Sequence, residues 1–251
     1  MPDIQNFITY SIFSVYKNLV AFTSTKQSFP TEKTRFTGDS PGIYTLNREL
    51  LAQKMGVEVT QLVFPRQTHT SCVAEISEIP ECELKDTDAL VTNQRGICIC
   101  VQTADCVPVL LFDPEKSVVA AVHAGWRGTV KKIAAETVQK MVSLYQCDPA
   151  KIVAAIGPSI SQAVYEVGTE VTEAVRQSIP NPEHVIHRKP NGKHHVDLWA
   201  ANREVLIESG LKPENIEIAE ECSFTNNNRF FSARKEGADT GRMVSGMMLL
   251  P

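Results

Sequence analysis

Short apolar runs alternate along the chain with longer segments that carry helical periodicity. Runs rich in valine and isoleucine, bounded by turn residues, predict β-strands. The turn Asp113-Pro114-Glu115-Lys116 joins two of these runs, as a β-hairpin requires. This mixture of elements predicts an α/β or α+β protein. The predicted strands cover residues 18–23, 61–64, 89–92, 97–102, 107–112, 118–123, 152–156, 185–188, 216–219 and 242–250.

Segments with the apolar spacing of amphipathic helices cover residues 46–55, 129–145 and 198–209. Gly56 ends the first segment, and the second places its apolar residues on one stripe. Asp197 precedes the third as an N-cap, and Gly210 follows it as the C′ residue. Asp148-Pro149 matches an N-cap followed by proline at the first helical position, which indicates a further short helix.

The composition is that of a globular protein. Of 251 residues, 43% are hydrophobic and 22% are charged, which is too apolar for a disordered chain. Acidic residues outnumber basic ones 29 to 25, and this balance gives no electrostatic reason to expect a nucleic-acid or membrane partner. Since no linker interrupts residues 1–251, we expect a single domain. The pattern specifies no oligomeric state.

Most of the cysteines and histidines show no metal-binding spacing. The chain shows neither a secretory signal nor a run of apolar residues long enough to cross a bilayer, so we expect a soluble cytoplasmic protein. Seven irregularly spaced cysteines then indicate reduced thiols. Cys98 and Cys100 share one strand face, which favours core packing. His194-His195 follows a turn and is expected on a solvated hairpin flank.

Three residues with metal-binding side chains lie where predicted strands meet turns: His69, Cys106 and His123. Two imidazoles and a thiolate suit zinc or copper and leave a tetrahedral ion one open position. Gln67 and Asp105 lie near these ligands in the sequence and are candidates for orienting them or for transferring a proton. The spacing is equally consistent with two unrelated histidines and one packed cysteine.

The same atoms allow a second interpretation, in which Cys106 is a nucleophile and one histidine is its base. Asp105 or Asn93 would then orient the imidazole. The second histidine discriminates between the two, because a metal site uses both and a thiol hydrolase requires only one.

Two segments combine glycine, arginine and aromatic residues. Residues 125–129 lead into a predicted helix, where free N–H groups and Arg127 suit an anion such as phosphate; the alternative is a tight turn with a surface arginine. Residues 229–234 combine two phenylalanines with Arg234. Either the rings stack on a heterocycle and the arginine binds phosphate, or the rings pack in the core and the arginine lies at its solvated rim.

The motifs together resemble the YfiH/YlmD family, known as multicopper polyphenol oxidoreductases or laccases. The resemblance covers most of the chain, from about residue 64 to residue 250. In order, the motifs are Gln67-x-His69, Asp88-x-Leu90-Val91-Thr92, Thr103-Ala104-Asp105-Cys106-Val107-Pro108, His123-Ala124-Gly125-Trp126-Arg127-Gly128, Ile156-Gly157-Pro158-Ser159-Ile160, Asp197-Leu198-Trp199-x-x-Asn202-Arg203, Phe230-Phe231-Ser232-x-Arg234 and Thr240-Gly241-Arg242.

This resemblance implies a metal-dependent purine nucleoside enzyme. Family members phosphorolyse adenosine, inosine, guanosine and methylthioadenosine, deaminate adenosine to inosine, and have a described copper-dependent phenol-oxidising activity. The implied fold is an α+β protein, a layered α/β/β/α sandwich shared with toxin deamidases of the Cys–His type. By position, the implied metal ligands are His69, Cys106 and His123.

The sequence departs from the family pattern near its N-terminus. The family usually has Thr-Arg-x-Gly-Gly-x-Ser, whereas this chain has Thr25-Lys26-Gln27-Ser28. Lys26 would replace the charge of the arginine without its planar fork. Thr70 replaces the usual glycine after the first histidine.

The resulting hypothesis is that Zn²⁺, with Cu²⁺ as the alternative, binds His69, Cys106 and His123 and activates water for attack at C6 of adenosine. Asp105 completes the predicted catalytic set. The same pocket would bind purine nucleoside and phosphate through Gln67, Arg127 and Arg234. The competing hypotheses are a copper-dependent polyphenol oxidase, a Cys–His thiol hydrolase and a zinc-stabilised binding module.

Overall fold

The computed structural model describes residues 2–39 and 41–251. The helices in this part of the chain are α1 (Pro41–Met55), α2 (Trp126–Val130), α3 (Ile133–Tyr145), α4 (Thr169–Ser178), α5 (Leu198–Glu208) and α6 (Ala233–Glu236). The strands are β1 (Phe7–Ile8), β2 (Leu19–Ser24), β3 (Leu62–Val63), β4 (Pro65–Arg66), β5 (Val73–Glu75), β6 (Leu84–Lys85), β7 (Ala89–Thr92), β8 (Cys98–Thr103), β9 (Val107–Asp113), β10 (Val118–Ala124), β11 (Val153–Ile156), β12 (Glu166–Val167), β13 (Ile186–Arg188), β14 (His194–Val196), β15 (Ile216–Ile218) and β16 (Met243–Leu249).

Two sheets pack face to face at the centre of the protein. One has the strand order β1-β2-β16-β8-β3, and the other has the order β15-β11-β9-β10-β7-β5. Alternate side chains fill the space between the sheets, among them Ile99 and Val101 from β8 and Leu110 and Phe112 from β9. This alternation follows from the two-residue period of a strand, which sends successive side chains to opposite faces.

Helices cover the outer face of each sheet. On the six-stranded sheet, side chains of α3 and α5 pack on residues such as Val109 and Val122. On the five-stranded sheet, Leu51 of α1 packs with Phe22 and Cys98. The layers therefore run α/β/β/α, which confirms the predicted fold class.

The predicted helix over residues 129–145 is wrong as a single element. The chain forms α2, then turns at Lys132, whose φ of 57° lies in the left-handed region, and continues as α3. Both helices contact β10 and α5, and α2 in addition contacts α4. The apolar stripe continues across the break, so periodicity alone does not reveal it.

The other predicted elements overlap elements of the structure, whereas the sequence did not predict α4, α6 or the short strands β1, β4, β5, β6, β12 and β14. Asp197 caps α5 by accepting a hydrogen bond from the amide of Ala200 (2.9 Å), and Gly210 has a φ of +98° beyond its end. In the predicted hairpin, Val118 pairs with Asp113. Cys98 and Cys100 are buried, as predicted.

His195 is not on a solvated flank. It lies in β14, the middle strand of a three-stranded sheet, and is buried with its Nδ1 2.8 Å from the carbonyl oxygen of Gln162. The turn before it was recognisable from sequence, but the covering loop that contains Gln162 comes from another part of the chain. In the described residues, no helix combines the length and apolar character needed to cross a membrane.

Candidate functional site

The side chains of His69, Cys106 and His123 come together at one end of the two sheets. Their candidate ligand atoms all lie within 4.8 Å of one another. The Sγ of Cys106 is 3.8 Å from Nε2 of His69, and the two imidazole centroids are 4.9 Å apart with the rings at 70°. His123 is buried in β10, Cys106 is half-buried between β8 and β9, and His69 is exposed. The sequence-predicted triad is therefore a real cluster.

The backbone at this cluster is strained. His69 has a φ of 64°, and Asp105, beside Cys106, has a φ of 84°. Residues other than glycine seldom adopt this left-handed region, and such strain persists only where surrounding contacts hold it. The amide of His69 donates a hydrogen bond to Asp88 (3.1 Å), which is one such contact.

Asp88 organises the two histidines. Its side chain is fully buried, and Oδ1 lies 2.7 Å from Nδ1 of His123. Its carboxylate also accepts hydrogen bonds from the amide (2.7 Å) and the hydroxyl (2.8 Å) of Thr70. Burial alone would raise the pKa of Asp88, but the hydrogen bonds from His123 and Thr70 hold it well below its usual range. The ionised carboxylate keeps Nδ1 of His123 protonated and leaves Nε2 for a metal ion.

Gly125 makes room for the cluster. A Cβ at this position would lie 2.9 Å from the Sγ of Cys106 and 2.9 Å from Cδ2 of His69. Both distances are shorter than van der Waals contact, so any larger residue would push the two side chains away. The glycine after His123 and Ala124 is therefore a steric requirement of the site.

The electrostatics favour a thiolate beside a charged imidazole. Burial would raise the pKa of Cys106, but His123 and His69 lower it to about 6. Burial would lower the pKa of His123, but Cys106 and Asp88 raise it to about 9. Two imidazoles and one thiolate match the ligands that zinc and copper prefer, so these residues fit a metal ion. In the described part of the chain they form the one such group of three.

Asp105 is engaged in holding two other segments. Its Oδ1 accepts a hydrogen bond from the hydroxyl of Ser223 (2.6 Å), and its Oδ2 accepts one from the amide of Arg234 (2.6 Å). Asp105 and Ser223 are both buried. The carboxylate therefore ties the loop that carries Cys106 to the start of α6.

Gln67 is engaged in a similar way with the end of β8. Its Oε1 accepts a hydrogen bond from the amide of Gln102 and its Nε2 donates one to the carbonyl of the same residue, both at 2.8 Å. The side-chain amide thus replaces a strand neighbour and fixes the segment that leads to His69.

Arg127 and Arg234 are exposed and lie on aromatic rings. The guanidinium carbon of Arg127 is 4.4 Å from the ring centroid of Trp126. That of Arg234 is 5.1 Å from the centroid of Tyr165, and its Nη1 donates to the carbonyl of Glu166 (2.9 Å). The helix that follows Gly125 is α2, only five residues long, and not the long helix expected there. Its N-terminus therefore contributes less to anion binding than the sequence suggests.

Burial and ion pairing show the surroundings of the two phenylalanines in residues 229–234 and of Lys26. Phe230 and Phe231 are buried, so these rings are core and do not stack on a ligand. Lys26 donates hydrogen bonds to Glu236 and to the carbonyl of Asn227, both at 2.7 Å. Its charge is therefore paired with a carboxylate of the same chain at a partly exposed position.

Sequence reasoning quoted Asp88 only as part of the motif Asp88-x-Leu90-Val91-Thr92 and assigned no role to Asp88 or Ser223. Asp88 lies directly before the buried strand β7, where an acidic residue needs a partner. That placement, together with the motif, was the available signal for Asp88. Ser223 had no comparable signal, because its contact with Asp105 joins residues 118 positions apart.

Comparison with known proteins places the chain in a family. A family model described as multi-copper polyphenol oxidoreductase laccase matches residues 26–250. A relative from Bacteroides thetaiotaomicron named purine nucleoside phosphorylase is 36% identical, over 98% of this chain and 97% of its own length. A relative from an unknown prokaryotic organism named adenosine deaminase RL5 is 44% identical, over 80% of this chain and 79% of its own.

Solved structures agree with this placement. The crystal structure of YlmD from Geobacillus stearothermophilus superposes with a TM-score of 0.88 at 26% identity and covers all of both chains. That of YfiH from Bacillus licheniformis superposes with a TM-score of 0.86 at 28% identity, over 93% of this chain and 94% of its own. The chain is therefore an enzyme of the YfiH/YlmD family, the family of the multi-copper polyphenol oxidoreductase laccase model.

Proposed function

We propose that this protein is a zinc-dependent purine nucleoside enzyme. It would phosphorolyse adenosine, inosine, guanosine and methylthioadenosine and deaminate adenosine to inosine. The observation that carries the proposal is the His69–Cys106–His123 cluster, whose ligand atoms lie within 4.8 Å of one another. The relatives named purine nucleoside phosphorylase and adenosine deaminase support the substrate class.

The three clustered residues would hold the metal, with Zn²⁺ preferred and Cu²⁺ as the alternative. A bound zinc ion supplies Lewis acidity and lowers the pKa of water towards neutrality. The residues around it have separate tasks. Asp88 holds the tautomer of His123, and the absence of a side chain at Gly125 leaves space for Cys106 and His69.

The remaining predicted residues divide into two groups. Asp105 and Gln67 would position the loops that carry Cys106 and His69, because their polar atoms are occupied by protein groups. Arg127 and Arg234 would contact the substrate, because their guanidinium groups are exposed. The proposed domain is the whole chain, residues 1–251.

The test is chromatography of adenosine and inosine incubated with zinc-loaded protein, with and without phosphate. We expect adenosine to become inosine, and phosphate to be required for release of hypoxanthine. Cys106→Ala should lose both reactions, while Cys82→Ala, a matched change at an exposed cysteine, should keep them. Full turnover by metal-free Cys106→Ala would contradict the proposed metal mechanism.

A copper-dependent phenol oxidase is the second candidate, and the description of the matching family model favours it. A multicopper array needs several ligand clusters, and the described residues supply one group of three. Phenol oxidation by copper-loaded protein, absent from the Cys106→Ala variant, would support this candidate.

A thiol hydrolase is the third, favoured by the 3.8 Å approach of the Cys106 thiol to His69. It predicts turnover of amide substrates that survives chelation and stops on alkylation of Cys106. A zinc-stabilised binding module instead predicts that chelation unfolds a protein without turnover.

A further inference from the structure

Two arginines converge on the same backbone segment beside the candidate site. Arg242 donates hydrogen bonds from Nη1 to the carbonyls of Thr240 (2.6 Å) and Gly241 (2.9 Å), and from Nη2 to that of Ala238 (3.0 Å). Arg35 donates from Nη2 to the carbonyls of Thr240 (3.2 Å) and Ala238 (3.4 Å). Two guanidinium groups therefore share two acceptors, which brings like charges together.

The two arginines have few ion-pair partners in the described residues. The one ion pair of Arg35 in the described structure is with Asp239 at 3.9 Å, and that carboxylate is fully exposed. Arg242 has no ion pair among the described residues. Burial lowers the pKa of Arg242 most and repulsion from Arg35 lowers it further, whereas attraction to Cys106, Asp105 and Asp239 raises it. Such a pair is stabilised when an anion binds between or beside the two cations.

The pair lies at the same sheet edge as the metal cluster. Arg242 directly precedes β16, whose first residue Met243 pairs with Thr103 at the end of β8. The chain leaves Thr103 and reaches Cys106 three positions later. The charges of Cys106 and Asp105 both act on Arg242, in the direction opposite to Arg35. The segment that holds the two arginines and the loop that carries Cys106 therefore leave the same end of the paired strands β16 and β8.

Both guanidinium groups keep N–H groups for a ligand. A guanidinium has five N–H donors. Arg242 directs three of them to carbonyls, and within the described structure its Nε–H has no acceptor. Arg35 donates only from Nη2, and within the described structure its Nε–H and Nη1–H groups also have no acceptor. Guanidinium forks bind carboxylate and phosphate alike, and two half-buried forks together can share the oxygens of one tetrahedral oxyanion.

We propose that Arg35 and Arg242 bind the inorganic phosphate used in phosphorolysis. This assignment rests on the proposed nucleoside activity and moves the phosphate from Arg127 and the loop at Gly125. In the reaction, a phosphate oxygen forms a bond to C1′ of the ribose as the bond from C1′ to the purine nitrogen breaks. The bonding electron pair leaves with the purine, which takes up the proton carried by hydrogen phosphate, so purine and ribose 1-phosphate are formed.

The test separates a reaction that uses phosphate from one that does not. Arg35→Gln and Arg242→Gln should each raise the KM for phosphate in inosine phosphorolysis by about tenfold or more, since each removes charge-assisted hydrogen bonds. Deamination of adenosine without phosphate should stay within about twofold of wild type. Arg176→Gln, a matched change on the exposed face of α4, should alter neither reaction.

A binding measurement accompanies the kinetics. Inorganic phosphate, compared with chloride at equal ionic strength, should raise the melting temperature of wild type and not that of Arg35→Gln. Arg35→Gln is the more informative variant, because Arg242 donates three hydrogen bonds to its own segment and its loss also loosens that segment.

Opposite outcomes would overturn the assignment. One is an unchanged phosphate KM in both variants with a raised KM in Arg127→Gln; another is an equal loss of deamination and phosphorolysis. If wild type turns over no nucleoside, the proposed function fails, and the phosphate-dependent melting shift still decides whether these arginines bind the anion.

Discussion

The carboxylate of Asp88 lies 2.7 Å from Nδ1 of His123, with both side chains buried. The same carboxylate accepts the amide hydrogens of Thr68, His69 and Thr70. One buried group therefore fixes the ring orientation of one candidate ligand and the backbone of another, although the two belong to different strands and loops. The metal site depends on this contact as much as on the ligands themselves.

Asp88→Asn should weaken metal binding about 10- to 100-fold. The amide nitrogen of asparagine would face N–H donors, and the side chain would lack the negative charge that the carboxylate places beside the imidazole of His123. Removing one partner of a buried pair should also lower the free energy of unfolding by about 3 kcal/mol. Competition with a chelator and denaturant unfolding measure the two effects. Asp86→Asn, a change at the exposed aspartate nearby, should leave metal affinity near wild type. Equal affinities in both variants would show that Asp88 does not orient the site.

Gly125→Ala should disrupt the cluster, because its Cβ would lie 2.9 Å from both Cys106 and His69. We expect loss of stoichiometric metal and of nucleoside turnover. The matched control is Gly42→Ala, where the added Cβ meets nothing within 4 Å and a helix gains about 0.5–1 kcal/mol. Metal content by elemental analysis, together with melting curves, tests both. Retention of full metal content by Gly125→Ala would mean that the cluster does not bind the ion in this arrangement.

Ser223→Ala removes a hydrogen bond to the buried carboxylate of Asp105 and should lower the free energy of unfolding by about 2 kcal/mol. If Asp105 positions α6, Ser223→Ala and Asp105→Asn should both raise KM for nucleoside more than they lower kcat. They should also speed tryptic cleavage after Arg234. A loss of kcat confined to Asp105→Asn, with a changed pH–rate profile and normal stability, would instead identify Asp105 as a proton-transfer group.

Glu236 makes stability depend on pH in the acid range. Burial would raise its pKa, but hydrogen bonds from Lys26, Thr240 and the amide of Ser232 lower it from 4.5 to about 2. The folded state thus binds this proton less readily than the unfolded state. The contribution of ionised Glu236 to the free energy of unfolding is present above about pH 4.5 and is lost as pH falls towards 2.

Glu236→Gln should therefore be less stable than wild type at pH 7, with a difference that shrinks between pH 4.5 and pH 2. Unfolding in urea across this range measures the difference. Glu173→Gln, at an exposed position on α4, should follow the wild-type curve. A wild-type advantage that stayed constant down to pH 2 would refute the role of the ionised Glu236.

Local pattern was enough to predict the longer strands. Alternating apolar residues predicted β9 and β10, and the Asp113–Lys116 turn predicted their antiparallel pairing, since neighbouring strands with a short connection have few other arrangements. Capping residues predicted both ends of α5. The motifs around His69, Cys106 and His123 likewise identified the side chains that gather, because each lies at the end of a strand.

Tertiary contacts decided the rest. The break at Lys132, the burial of His195 and the hydrogen bond from Ser223 to Asp105 all depend on segments distant in the sequence. Hydrophobic periodicity states which face of an element is buried, but not which other element covers it. For this protein the local pattern predicted the longer strands and the candidate ligands, and the resemblance to a known family implied the layers. Only packing decided which carboxylate orients them and where two arginines come together, because those positions follow from long-range contacts that no local pattern encodes.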